Sequence, residues 1–289
     1  MTFGTSATDE EDLSATSALR LQTETVLGKI AGQTDIVLDV SSLPRVAYLA
    51  LMTAVLQKLI PNRSGPYALA AEGVNFQVIV AEDARLDSLI RSEDPSNDLI
   101  LIPGFSSVLQ LESVQDWPMV WFPILGENRV AQLEKVMSLA PIPASAEICP
   151  VVPHPSRNPR RADELLIEYR VPLFASRSTP TTNILFAHES HPFESYRQLL
   201  GAMSRYRDSM GIIGGCRLVV TPLASKLITL GAGLACFEMR PDQMDQNYGV
   251  AIPYAEPTRY LAASADLRSA APEIAALLLT GEAYALEPE

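Results

Sequence analysis

The chain has 289 residues, of which 47% are hydrophobic and 19% charged. That balance suits one large domain or two modest ones and excludes a wholly disordered chain. With 22 Lys and Arg against 34 Asp and Glu, the formal net charge of -12 opposes broad binding to nucleic acid or anionic membranes and leaves room only for a local basic pocket.

Residues 1–13 are rich in Thr and Ser and then acidic (Asp9, Glu10, Glu11, Asp12), which reads as a disordered tail. A secretory signal needs a basic start and an apolar run, and neither is present. No stretch reaches the ~18 consecutive apolar residues of a membrane span. Cys149, Cys216 and Cys236 sit singly among apolar neighbours, without the paired spacing of a structural zinc site. Their odd, sparse count fits a reducing compartment. The expectation is a soluble, acidic, cytoplasmic protein, with self-association left open.

An amphipathic helix is expected over residues 14–30, with Leu19, Val26, Leu27 and Ile30 on one face. Apolar runs and helical segments then alternate. Residues 36–40 read as a buried strand, and residues 46–60 as a helix ended by Pro61. The helix is apolar on nearly every side, which implies burial or a subunit interface. Strand runs follow at 76–80, 99–102, 119–125, 148–152, 184–186, 218–220 and 250–252. Helices are expected at 82–91, 129–139, from Asn158-Pro159 to Arg170, at 193–207, from the Thr221-Pro222 turn through Phe237, and at 272–279.

Near-continuous apolar strands alternating with helices predict an α/β fold built on an open, mostly parallel sheet with helices on both faces. About eight strands also admit a (β/α)8-like barrel, but their unequal spacing favours the open sheet. Residues 36–59 and 184–207 share a strand, a polar turn and an early helical proline. If the chain has two α/β halves, 14–145 and 146–289, the Pro-rich stretch 141–159 is their boundary; otherwise it is one continuous domain.

In such a sheet, ligands bind beyond the carboxyl ends of the strands, so polar strand exits are the candidate sites. The first exit holds Asp39, Ser41, Ser42 and Arg45 beside a helix start, a combination able to hold a polar or anionic ligand. The second, His188-Glu189-Ser190-His191, contains two of the three histidines. Imidazole titrates near neutral pH, so His188 or His191 can serve as general base, with Glu189 or Asp39 as orienting carboxylate. The histidine spacing is not that of a zincin, and no metal site is assigned. The third exit holds Ser225 and Lys226, where the lysine can neutralise an anion at a helix start. Gly104 and Ser106 mark a lesser turn where backbone can approach a ligand, and the turn Gly126-Glu127-Asn128-Arg129 is another. The dinucleotide fingerprint, the Walker A loop and the Gly-x-Ser-x-Gly elbow are all absent, and no cofactor is indicated.

Three functions fit these features. One is recognition of a small anionic molecule, nucleotide-like or a phosphosugar, by Asp39, Ser41, Ser42, Arg45, His188, Glu189, His191 and Lys226. Another is a hydrolase or transferase using the histidines and carboxylates. The third is a subunit of a larger assembly, docked through the helix at 14–30 or that at 47–59.

Overall fold

The computed structural model describes residues 15–61, 68–105, 107–110, 112–241 and 247–285. The acidic tail read over residues 1–13 and the candidate Ser106 lie outside them. The chain forms two compact units, Met1–Ala81 with Glu273–Glu289, and Glu82–Pro272. The Pro-rich stretch 141–159 runs inside the second of these units and joins strands of one sheet.

In the first unit, α1 (Ala15–Lys29) lies beside α2 (Arg45–Leu59), and Lys58 Nζ donates to Leu27 O at 3.1 Å. Pro44 precedes α2 and presets its entry, and Ile60 N closes on Leu56 O at 2.7 Å before Pro61. The helix is buried from Val46 through Thr53, as its all-round apolar sequence requires. Strand β1 (Asp35–Asp39) pairs in parallel with β2 (Asn75–Glu82). Contrary to expectation, β1 is not covered on both faces: it is an edge strand, and Val37 is 58% exposed.

The C-terminal strand Glu273–Thr280 takes the other side of β2. Thr280 Oγ1 donates to Val74 O at 2.8 Å, bringing the end of this strand to the start of β2. The sequence predicts a helix over 272–279. Its Ala and Leu residues favour that by propensity, but pairing with the second side of β2 overrides it.

The second unit opens with α3 (Ala84–Leu89), whose first turn is capped by Asp83 Oδ1 accepting from Arg85 N and Leu86 N. Next come β3 (Arg91–Pro95), β4 (Ile100–Leu101), the helical turn α4 (Ser107–Gln110), β5 (Met119–Ile124) and α5 (Val130–Leu139). They are followed by β6 (Glu147–Ile148), β7 (Val151–Pro153), α6 (Arg161–Glu168), β8 (Leu185–Ala187) and α7 (Pro192–Gly211). The unit ends with β9 (Cys216–Pro222), α8 (Lys226–Glu238), β10 (Tyr248–Ala251), β11 (Pro253–Tyr254), β12 (Pro257–Leu261) and α9 (Ser264–Arg268).

Six of these strands form one sheet in the order β10-β9-β5-β7-β8, with β6 also on β5, and all its pairs are parallel. The sheet is open, with β8 and β10 at its edges, so the barrel alternative is excluded. Right-handed crossovers in this order send α5 and α6 to one face and α7 and α8 to the other. Every residue of β5, β9 and β10 is buried, as expected of strands covered on both faces. Trp121, fully buried on β5, satisfies its indole by donating to Thr221 Oγ1 on β9 at 2.9 Å. Two short antiparallel pairs, β3 with β12 and β4 with β11, lie outside this sheet. Among the described residues no helix is long and apolar enough to cross a membrane.

Helices α7 and α8 approach closely at Gly231, where an added Cβ would lie 2.3 Å from Pro192 O and 2.9 Å from Ser195 Cβ. Gly231→Ala is expected to cost about 1–3 kcal/mol by overpacking. At Gly201 on α7 the nearest atom to such a Cβ is the mobile end of Arg205 at 3.6 Å. Gly201→Ala should therefore raise stability by about 0.5–1 kcal/mol through helix propensity. Urea unfolding of both variants measures the contrast.

Candidate functional site

The chain leaves β5 through α5 toward β7, and leaves β9 through α8 toward β10. The strand order therefore reverses between β5 and β9, and a crevice is expected at their carboxyl ends. The two exit loops meet there. A Cβ on Gly126 would fall 2.3 Å from Leu223 O, so only glycine permits this approach.

Beside this junction, three strand exits are tied together by one arginine. Arg161, at the start of α6, places Nε and Nη2 on the two carboxylate oxygens of Glu127, the latter at 2.8 Å. Its Nη1 donates to Glu189 Oε1. The side chains of Arg161 and Glu189 are 6% and 7% exposed, and that of Glu127 21%. Glu189 Oε2 also accepts from Arg157 N at 2.7 Å. The two carboxylates and their hydrogen bonds raise the guanidinium pKa against the desolvation that would lower it. Glu127 follows β5, Arg157 follows β7 and Glu189 follows β8, so the triad fixes the rim of the sheet.

This rim walls a cavity of about 510 Å³. Its acidic lining is Glu127, Glu164, Glu168 and Glu189; Arg85 and Arg157 are exposed cations at its margin. Glu168 Oε1 accepts from Asn128 N at 2.9 Å, yet desolvation raises its carboxyl above the ordinary value, with Glu127's charge adding to the effect. Tyr169, buried behind the wall, donates to Gly126 O at 2.7 Å and pins the β5 exit from below.

The start of α8, beyond β9, is already filled by an acid from the chain itself. Lys226 N donates to Glu82 Oε1 at 2.6 Å, and Leu227 N to Glu82 Oε2 at 3.3 Å. Ser225 stands at the N-cap position, but its side chain makes no capping bond. Desolvation, then the charge and hydrogen bond of Asp87, push Glu82 up to about 8 despite the two backbone donors. At the helix start where Ser225 and Lys226 were expected to meet an anion, the first backbone donors of α8 hold Glu82.

Of the residues singled out in the sequence, Glu189 lines this cavity, as do Glu127 and Asn128 of the lesser turn at 126–129. His188 is half-buried and its Nδ1 accepts from Ser190 N at 3.3 Å, while His191 is exposed; their rings meet edge to face at 5.7 Å. Neither histidine lines the cavity. Asp39, Ser41, Ser42 and Arg45 belong to the first unit. There Asp39 Oδ1 accepts from Ser41 N at 2.9 Å, and Ser41 Oγ accepts from Ala81 N at 2.8 Å, which closes a local turn. Gly104 has φ +88° in a turn after β4, an antiparallel strand outside the six-stranded sheet. Among the described residues no group of three His, Cys, Asp or Glu side chains could hold a metal ion.

Sequence reasoning passed over Arg161, Glu168 and Glu82. The turn at Gly126-Glu127 was a visible signal for the first two, because a glycine followed by an acid at a buried strand's exit invites a buried cation. Fold and site define an open, doubly wound α/β protein with an acidic cleft at the carboxyl edge of its sheet. No family model, curated protein or solved structure matches this chain.

Arg161→Met leaves Glu127 and Glu189 without their shared cation and is expected to cost about 3–5 kcal/mol in urea unfolding. A second test follows from Glu82. It keeps its proton in the folded chain to about pH 8, whereas the ordinary value is 4.5. The folded state then binds more protons between those limits, so stability falls as pH rises from about 4.5 to about 8. Glu82→Gln removes this decline, so melting temperatures followed across the window should shift in the variant's favour as pH rises.

Proposed function

We propose that this protein binds a small polar molecule carrying several hydroxyls and one anionic group, nucleotide-like or a phosphosugar, in the cleft at the carboxyl edge of its parallel sheet. The observation that carries this reading is the cavity of about 510 Å³ walled by Glu127, Glu164, Glu168 and Glu189 and rimmed by Arg85 and Arg157. Ionised carboxylates are acceptors only, so they suit the hydroxyl donors of a sugar. Arginine at the margin suits an oxyanion, because its planar fork matches phosphate or carboxylate. The Arg161 bridge supports the same reading, since it holds the acceptors in place before a ligand arrives.

A second reading is favoured by Glu168. A carboxyl with a raised pKa close to carboxyl groups bridged by Arg161 resembles the pairing used for general acid and base work at a sugar linkage. Hydrolysis or transfer would then fall to these carboxylates, with the histidines of the β8 exit taking no direct part.

Thermal melting against a panel of ribose 5-phosphate, glucose 6-phosphate, AMP and ADP tests the proposal. A ligand at ~100 times its Kd adds about 2.7 kcal/mol of stability. Glu164→Gln, on the exposed wall, should weaken that ligand about tenfold while leaving the ligand-free melting temperature in place. Flat curves across the panel would remove the binding reading. Turnover of the bound compound that is lost in Glu168→Gln would establish the catalytic one.

A further inference from the structure

The opposite, amino-terminal edge of the same sheet carries a feature that the cleft does not use. Arg217 is the second residue of β9, paired with Met119 of β5 and Gly249 of β10. It is 6% exposed. Its Nε donates to Trp117 O at 3.0 Å. Its two Nη nitrogens have no hydrogen-bond or ion-pair partner among the described residues. Desolvation lowers its pKa, and the exposed Asp116 opposes this only through its field. The guanidinium is largely buried, yet its Nη nitrogens are not sealed from solvent, so an anion that reached them would complete its hydrogen bonding.

The residue lines a cavity of about 430 Å³ together with Leu109, Gln115, Pro141, Ile142 and Pro143. Most of these residues are aliphatic or proline, although polar atoms supply about as much of the exposed wall as apolar ones. The Pro141–Pro143 segment is further held by Arg177, whose Nη1 donates to Pro143 O at 2.9 Å. The result is a charged fork facing aliphatic and proline side chains in a pocket of mixed polarity, with an exposed amide, Gln115, beside it.

We infer that this pocket is a second ligand site, distinct from the carboxyl-edge cleft, and that it takes a monocarboxylic acid with a compact apolar body. The two Nη donors of Arg217 match the two oxygens of a carboxylate, and the proline and aliphatic walls match an uncharged hydrocarbon body. Asp116 selects against a dianion: one cation beside an acid balances a single negative charge better than the two of a phosphate monoester.

Isothermal titration with sodium benzoate tests the site, with benzamide as its neutral isostere and inorganic phosphate as the dianion. The expected result is one saturable benzoate site and no saturation by benzamide or phosphate over the same range. Arg217→Lys keeps the charge and loses the fork, so it should weaken benzoate about tenfold. Gln115→Glu places a second acid at an exposed position, leaves the fold intact, and should weaken benzoate by a similar factor of about ten. Absence of saturation by about 10 mM benzoate, equal binding of benzamide, tighter binding of phosphate, or indifference to Gln115→Glu would each overturn the inference. None of these outcomes bears on the acidic cleft, which is tested with different compounds and variants.

Discussion

A guanidinium buried between two carboxylates imposes more on this structure than any other single contact. Arg161 cannot be withdrawn from water alone, because an isolated charge in a low-dielectric interior costs several kcal/mol. Glu127 and Glu189 answer that charge from the exits of β5 and β8, and α6 supplies the arginine at its own first position. The pairing therefore couples the central strand, the β7–β8 crossover helix and the edge strand at one point. A parallel sheet gathers such exits on one side as a matter of topology, but topology fixes no distance between side chains. The ion triad supplies that fixed spacing, and the polar wall of the cleft is a consequence of it.

The fold was largely legible, because strands covered on both faces leave a strong mark. Val120-Trp121-Phe122 and Leu218-Val219-Val220 allow little besides central strands, and α8, buried from Leu227 to Phe237, follows from an all-apolar helix. The weaker elements were lost for physical reasons. Residues 91–95 are Arg-Ser-Glu-Asp-Pro, a strand paired antiparallel with residues 257–261, and no hydrophobic period announces it. The C-terminal strand carries a helix former's composition and takes its state from its pairing with β2. Both are cases in which a partner distant in sequence decides the local conformation.

The site was legible only in part. Glu189 could be found because it sits in a conspicuous polar turn beside two histidines, although those histidines do not line the cleft. Arg161 could not, since an arginine opening an amphipathic helix reads as solvated surface until a strand exit brings Glu127 against it. Glu82 is hidden in a similar way. Its capping of α8 spans 144 residues of sequence and uses backbone donors, which leave no side-chain pattern. Long-range ionic contacts are specified by geometry that only the assembled sheet provides.

Occupation of the α8 start by Glu82 changes where a ligand's charge can go. In many open α/β sheets the helix after the switch point offers its free N–H groups to a phosphate. Here the first of those groups already bind a carboxylate, one raised toward neutrality by its surroundings. Negative charge arriving in the cleft would meet Glu127, Glu168 and Glu189 on the wall, where Arg161 is already engaged by two of them, and the further cations, Arg85 and Arg157, stand at the margin. For the ligand proposed above, Coulomb's law would favour one orientation, with the hydroxyl-bearing part inward on the carboxylates and the anionic group outward at the arginines. An acidic protein can recognise an anion on those terms, because the interior reads donors and only the rim reads charge.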